Sequence, residues 1–175
     1  MLTEARVAAL VAGTVDLLLC FRSAQQPIQL DPTRYDRAVL RQDRLRPCAL
    51  RGWAVAAAWP DRPVPVLRCP ATVYSGRLVA LAIETAPGPL HAETAVECEM
   101  SDALHGFALS GRGVAWLPDC SLSRDDRALL GPMDDGGWSV DVSTFAFRDR
   151  AQSRPAVDWL RSRLADFLTS QGADP

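Results

Sequence analysis

Apolar residues recur at two periods along this 175-residue chain, and each period marks its own kind of element. Helical spacing is carried by Val7, Leu10 and Val11 before Gly13, by Val73, Leu78, Leu81 and Ala82 within 71–83, and by Leu104, Phe107, Ala108 and Gly111. It returns in Val157, Leu160, Leu164, Phe167 and Leu168 behind Pro155, a residue tolerated in the first turn of a helix; Thr3 suits the cap of the first helix. Continuous or alternating apolar runs predict strands at 15–21, 39–50, 63–67, 92–99, 114–117 and 138–147. Only Asp16 is charged within 15–21, so both faces of that strand are expected to be covered. In 92–99 the set Ala92, Thr94, Val96 and Cys98 alternates with Glu93, Ala95, Glu97 and Glu99, as in a half-exposed strand. In 138–147, Trp138, Val140, Val142 and Thr144 face one way, and Asp141, Ser143 and Phe145 the other. A short helix is expected over 121–130, turns at 131–132 and 134–137, and a loop over 23–35, which holds Pro27 and Pro32. Residues 51–62, with Trp53 and Trp59, follow neither period.

The most informative stretch is Met100 to Pro118. Ser101 is expected to cap a helix, Asp102 places negative charge at the positive end of its dipole, and Gly111 and Gly113 bracket the exit. Val114 to Leu117 then forms a buried strand, which Pro118 stops because it has no N–H for the next ladder bond.

A helix followed by Gly-x-Gly-Val-Ala-Trp-Leu-Pro resembles the late part of the regulatory domain of LysR-type transcriptional regulators. The Met-Ser-Asp-x-Leu entry and the Trp-Leu-Pro ending resemble more narrowly the hypochlorite-responsive branch of that family. Other pieces fall in the same order: a helix and glycine before Val15-Asp16-Leu17-Leu18-Leu19, then Arg46-Pro47-Cys48-Ala49, then Tyr74-Ser75-Gly76-Arg77, where Ser75 replaces the methionine of the branch. Phe147-Arg148, a proline and a terminal amphipathic helix complete the series, so the resemblance runs from Thr3 to about Leu168.

The resemblance implies an α/β fold of the periplasmic-binding-protein-like (type 2) class with two α/β subdomains. The second spans 63–120; the first is assembled from 1–62 and 121–175 and is incomplete. The family has a winged helix-turn-helix, a linker helix and an opening strand, helix and strand ahead of the point where this chain starts. The chain is therefore expected to be N-terminally truncated, with 15–21 left as an apolar edge prone to association. The implied function is effector or oxidant sensing in the cytoplasm. The implied partners are a small-molecule effector or oxidant, DNA only through a winged helix-turn-helix domain absent from this chain, no membrane, and a second copy in a homodimer or higher homo-oligomer. A stand-alone small-molecule binding protein of the same fold is the alternative.

Composition narrows this only slightly. Apolar residues at 48% and charged residues at 23% are ordinary for a globular chain. All 19 basic residues are arginine, yet the net charge of -2 leaves no electrostatic footprint for nucleic acid. Five cysteines, Cys20, Cys48, Cys69, Cys98 and Cys120, at irregular spacing and with no C-x-x-C pair, argue against a disulfide framework and a zinc site, and for a reducing compartment. Glu4, Asp16 and the leucine before Cys20 argue against a signal peptide, and no run is long enough to span a membrane.

Candidate effector contacts are Phe21, Arg22, Tyr74, Ser75, Arg77, Met100 and Ser101, at strand ends or helix starts where backbone donors converge on an anion or small polar ligand. Met100, Cys48 and Cys98 are the redox-sensing candidates. Oxidation of a buried thioether makes it polar, and leaving such a group unsatisfied costs about 1–3 kcal/mol. No cofactor and no metal are expected. Catalysis would need a nucleophile with a base, and Cys98 lies between the only histidines, His91 and His105, with Ser101 one helical turn before His105. No nucleophile elbow, phosphate loop or metal spacing accompanies them, so a cysteine-dependent enzyme ranks last and no catalytic residue is assigned.

Overall fold

The computed structural model describes residues 2–53, 62–88, 90–133, 137–152 and 154–171. Trp59 and most of the turn at 134–137 lie outside them, as do the side chains of Thr3 and Leu168. The chain forms two compact units, 1–43 with 141–175, and 44–140. The unit boundaries fall inside two strands, at 43/44 and 140/141; the subdomain division implied by the resemblance lies at 62/63 and 120/121.

The first unit holds α1 (Leu2–Val11), β1 (Leu18–Arg22), the start of β2 (Tyr35–Leu50), most of β7 (Val140–Asp149) and α5 (Pro155–Gln171). Gly13 ends α1 in the left-handed region, and the Thr14 N–H reaches back to the Ala9 carbonyl at 3.0 Å. β1 lies antiparallel to β7, Leu18 opposite Phe147 and Arg22 opposite Ser143, and is the edge of its sheet. Leu10, Leu18, Tyr35 and Phe147 form the core, with Val7 and Cys20 packed against it.

Three expectations fail here for physical reasons. β1 is not covered on both faces: Leu18 is buried, but Leu19 and Phe21 are 43% and 38% exposed, because a strand at the edge of one layer has a single core face. Val11 leaves the stripe of α1 for solvent. The stripe of α5 is not a core face either, since Leu160 and Phe167 are exposed beside Trp159. Ion pairs hold α5 instead: Arg161 Nη1 lies 2.7 Å from Asp36 Oδ2, and Asp158 Oδ1 lies 2.5 Å from Arg148 Nη1.

In the second unit the rest of β2 is followed by β3 (Val64–Arg68), α2 (Tyr74–Thr85), β4 (Ala92–Glu97), α3 (Ser101–Leu109), β5 (Val114–Pro118), α4 (Arg124–Leu129) and β6 (Leu130–Pro132). β2 runs antiparallel to β5, and β3 runs parallel to both β5 and β4, giving the order β2-β5-β3-β4. The 131–132 segment is not a turn but part of β6, which pairs with β2 so that Cys48 lies opposite both Ala115 and Pro132. Ser123 caps α4 reciprocally with Asp126, each side chain accepting the other's backbone N–H.

The core of this unit joins Cys48, Leu67, Cys69, Leu104, Ala108, Ala115 and Leu117. α3 reaches it with a narrow face, Leu104 and Ala108, and Phe107 is 40% exposed rather than buried. The helix closes as a Schellman motif: Gly111, at φ 69°, donates to the Ala108 carbonyl, and Arg112 to that of Phe107. β4 does not alternate as expected. It is exposed on both sides until Val96, because it is an edge and its register slips by one residue between Val66 and Leu67 of β3.

Candidate ligand site

Five of the seven candidate effector residues lie in the second unit, at the ends of two neighbouring parallel strands. β3 leads into α2 and β4 into α3, so the N-termini of both helices follow the carboxyl ends of adjacent strands. Ligands of open α/β sheets bind on this side. Val73 and Met100 occupy the two cap positions, and neither supplies a side-chain hydrogen bond to its helix. The expected cap, Ser101, is instead the first helical residue, exposed to solvent. First-turn N–H groups, with the positive ends of both dipoles, suit an anion or the oxygen of a polar molecule.

Gly76 sets how closely α2 can start. A Cβ on this residue would collide with the carbonyl oxygens of Cys69 and Pro70, so only glycine lets the first turn rest on the strand exit. Tyr74 is 8% exposed and belongs to the packed base. Burial raises the Cys69 thiol and the Ser75 side chain offsets part of that rise, while Arg77 Nη1 donates to the Thr72 carbonyl at 3.4 Å, folding back on the loop before its own helix. The Met100 N–H donates to Cys98 Sγ at 3.4 Å.

Met100 is 65% exposed, which corrects the expectation of a buried thioether: at the cap its side chain leaves the helix axis for water. Phe21 and Arg22 belong to the first unit, at the carboxyl end of β1, where the Arg22 guanidinium lies 5.5 Å from the centre of the Phe145 ring. Cys48 is buried in the second core, and burial pushes its thiol up to about 11. His105 faces an acid rather than Ser101, with Nε2 3.6 Å from Asp126 Oδ1. Among the described residues no group of three metal-ligating side chains occurs, and no helix is long and apolar enough to cross a membrane.

Sequence reasoning passed over Cys69 and the steric role of Gly76. Cys69 and Cys98 each stand directly after a strand, but the slip in register that brings these strand ends level has no trace in the hydrophobic pattern.

No protein-family model and no curated protein matches this chain. Solved structures do match. Full-length HypT from Salmonella typhimurium, a hypochlorite-specific LysR-type transcriptional regulator, superposes with a TM-score of 0.76 at 20% identity over 95% of this chain and 56% of its own. This chain thus spans just over half the length of that regulator. The bromide-bound regulatory domain of HypT gives 0.76 at 21% identity, over 95% of this chain and 79% of its own. Full-length LysG from Corynebacterium glutamicum with its bound effector arginine gives 0.67 at 14%, over 94% and 55%. The fold is therefore the α/β, periplasmic-binding-protein-like fold of LysR-type regulatory domains.

Proposed function

We propose that this chain is the effector- or oxidant-sensing regulatory domain of a LysR-type transcriptional regulator, with the second unit carrying the contacts to the ligand. The observation that carries this reading is the pair of helix starts, α2 and α3, side by side at the carboxyl ends of β3 and β4 with no capping side chain of their own. A small anion or polar effector is recognised there by backbone N–H groups, with Ser75 and Ser101 in the first turns adding hydroxyls. The likeness to a hypochlorite-specific regulator and to a regulator holding arginine supports both classes of signal. On this reading DNA contact is made by another domain, and these residues, at net charge -2, transmit the signal. Thermal melts at constant ionic strength, with bromide, L-arginine or one equivalent of hypochlorous acid, test it. A saturable shift in Tm with at least one of the three is expected, and indifference to all three contradicts the proposal.

A further inference from the structure

Cys69 and Cys98 stand one residue beyond the last registered pair of β3 and β4, Arg68 opposite Glu97. The Cys98 N–H still donates to the Arg68 carbonyl at 3.1 Å, so the strands are together at this point, and Pro70 has no N–H to extend the ladder. Neighbouring strands lie about 4.8 Å apart. That spacing falls within the range of about 4.4–6.8 Å usual between the Cα atoms of a disulfide. Both side chains turn to the same face: Cys69 is part of the core with Leu67 and Leu104, and Cys98 packs against that same core. The pair is graded in access, since Cys69 is 8% exposed while Cys98 is half-buried.

We propose that Cys69 and Cys98 are a reversible dithiol–disulfide pair, oxidised from the Cys98 side by a two-electron oxidant of the hypochlorous acid class. In the first step the Cys98 thiol takes chlorine from hypochlorous acid, giving a sulfenyl chloride and water. In the second, Cys69 sulfur attacks Cys98 sulfur, the S–Cl bond breaks, and chloride and the Cys69 proton leave as the S–S bond forms. The two sulfurs are each oxidised by one electron, and chlorine is reduced to chloride. Thiol–disulfide exchange with a reducing dithiol reverses the change.

The bond ties the segment entering α2, capped by Val73, to the segment entering α3, capped by Met100, and fixes the separation of the two helix starts. As a signal the pair rests on the regulatory-domain reading; as sulfur chemistry it does not.

The test treats the reduced full chain with one equivalent of hypochlorous acid, alkylates the remaining thiols, and maps them by mass spectrometry. The expected result is loss of two of the five thiols, a peptide joining Cys69 to Cys98, and full recovery with dithiothreitol. Cys98→Ser protects Cys69 from oxidation, and Cys120→Ser leaves the cross-link intact. Cys98 recovered as sulfinic acid with Cys69 fully alkylated, or loss confined to Cys120, overturns the proposal. A disulfide that forms while the bromide-dependent melt stays the same in both redox states upholds the chemistry and counts against the regulatory reading alone.

Discussion

Gly76 stands so close to Pro70 that a single added carbon would overlap the proline carbonyl oxygen. The contact fixes the start of α2 against the end of β3 and so positions one half of the candidate site. Gly76→Ala is expected to destabilise the chain by about 1–3 kcal/mol through overpacking against backbone that cannot yield. Gly106→Ala is the matched control. Nothing lies within 4 Å of its Cβ direction in the middle of α3, so it is expected to stabilise by up to about 1 kcal/mol. Urea melts of the two variants separate these signs.

Trp116 and Trp138 form a second fixed relationship, the indole Nε1 of Trp116 donating to the Trp138 carbonyl at 2.8 Å with both residues 7% exposed. Trp116→Phe keeps most of the ring and removes the donor. The expected loss is about 1–3 kcal/mol, the cost of a buried carbonyl left without its partner, read by denaturant unfolding followed through the remaining tryptophans.

Acid should unfold the chain through its aspartates. The Ala151 N–H, and then Arg34 at 2.9 Å, hold the Asp149 carboxyl below the ordinary carboxylate range; Asp126 is lowered in the same direction by Ser123. A group with a folded pKa below its unfolded one stabilises fully above the unfolded value of about 3.9. That contribution is lost as pH falls through the lowered folded value. Tm is expected to drop steadily below about pH 4 and to drop less steeply in Asp149→Asn, in melts taken from pH 6 down to 2.5.

Met100 is a poor stability switch because its thioether is already in water. Sulfoxide formation there, or Met100→Ile, is expected to change unfolding free energy by less than about 0.5 kcal/mol, as at other exposed positions. A shift of several degrees in Tm on oxidation of Met100 alone would restore the methionine as the sensor.

Much of the fold is legible in the chain because its strands and helices have strong, distinct periods. The segment from Ser101 to Pro118 is legible in part: Leu104 and Ala108 are core and Gly111 takes the left-handed position the turn requires, but the cap is Met100 rather than Ser101, and Phe107 is exposed. Patterns fail where hydrophobicity does not imply burial. Leu19, Phe21, Leu160 and Phe167 fit the apolar faces of β1 and α5 yet remain exposed, since periodicity cannot tell what, if anything, lies opposite. The site is less legible still. Arg77 and Ser101 are accessible through their resemblance to a family motif and Ser75 only as the residue standing where that motif has methionine, whereas the pairing of Cys69 with Cys98 depends on the strand register, and the need for Gly76 on the carbonyls of Cys69 and Pro70.

The measurement that tests the account most directly is an amide chemical-shift map of the 15N-labelled, reduced chain titrated with bromide at constant ionic strength. The account predicts saturable shifts centred on the N–H groups of Ser75 and Gly76 and of Ser101 to Ala103, weakened in Ser75→Ala and Ser101→Ala. Shifts that never saturate, or that spread over the arginine-rich surface and spare both helix starts, would contradict it.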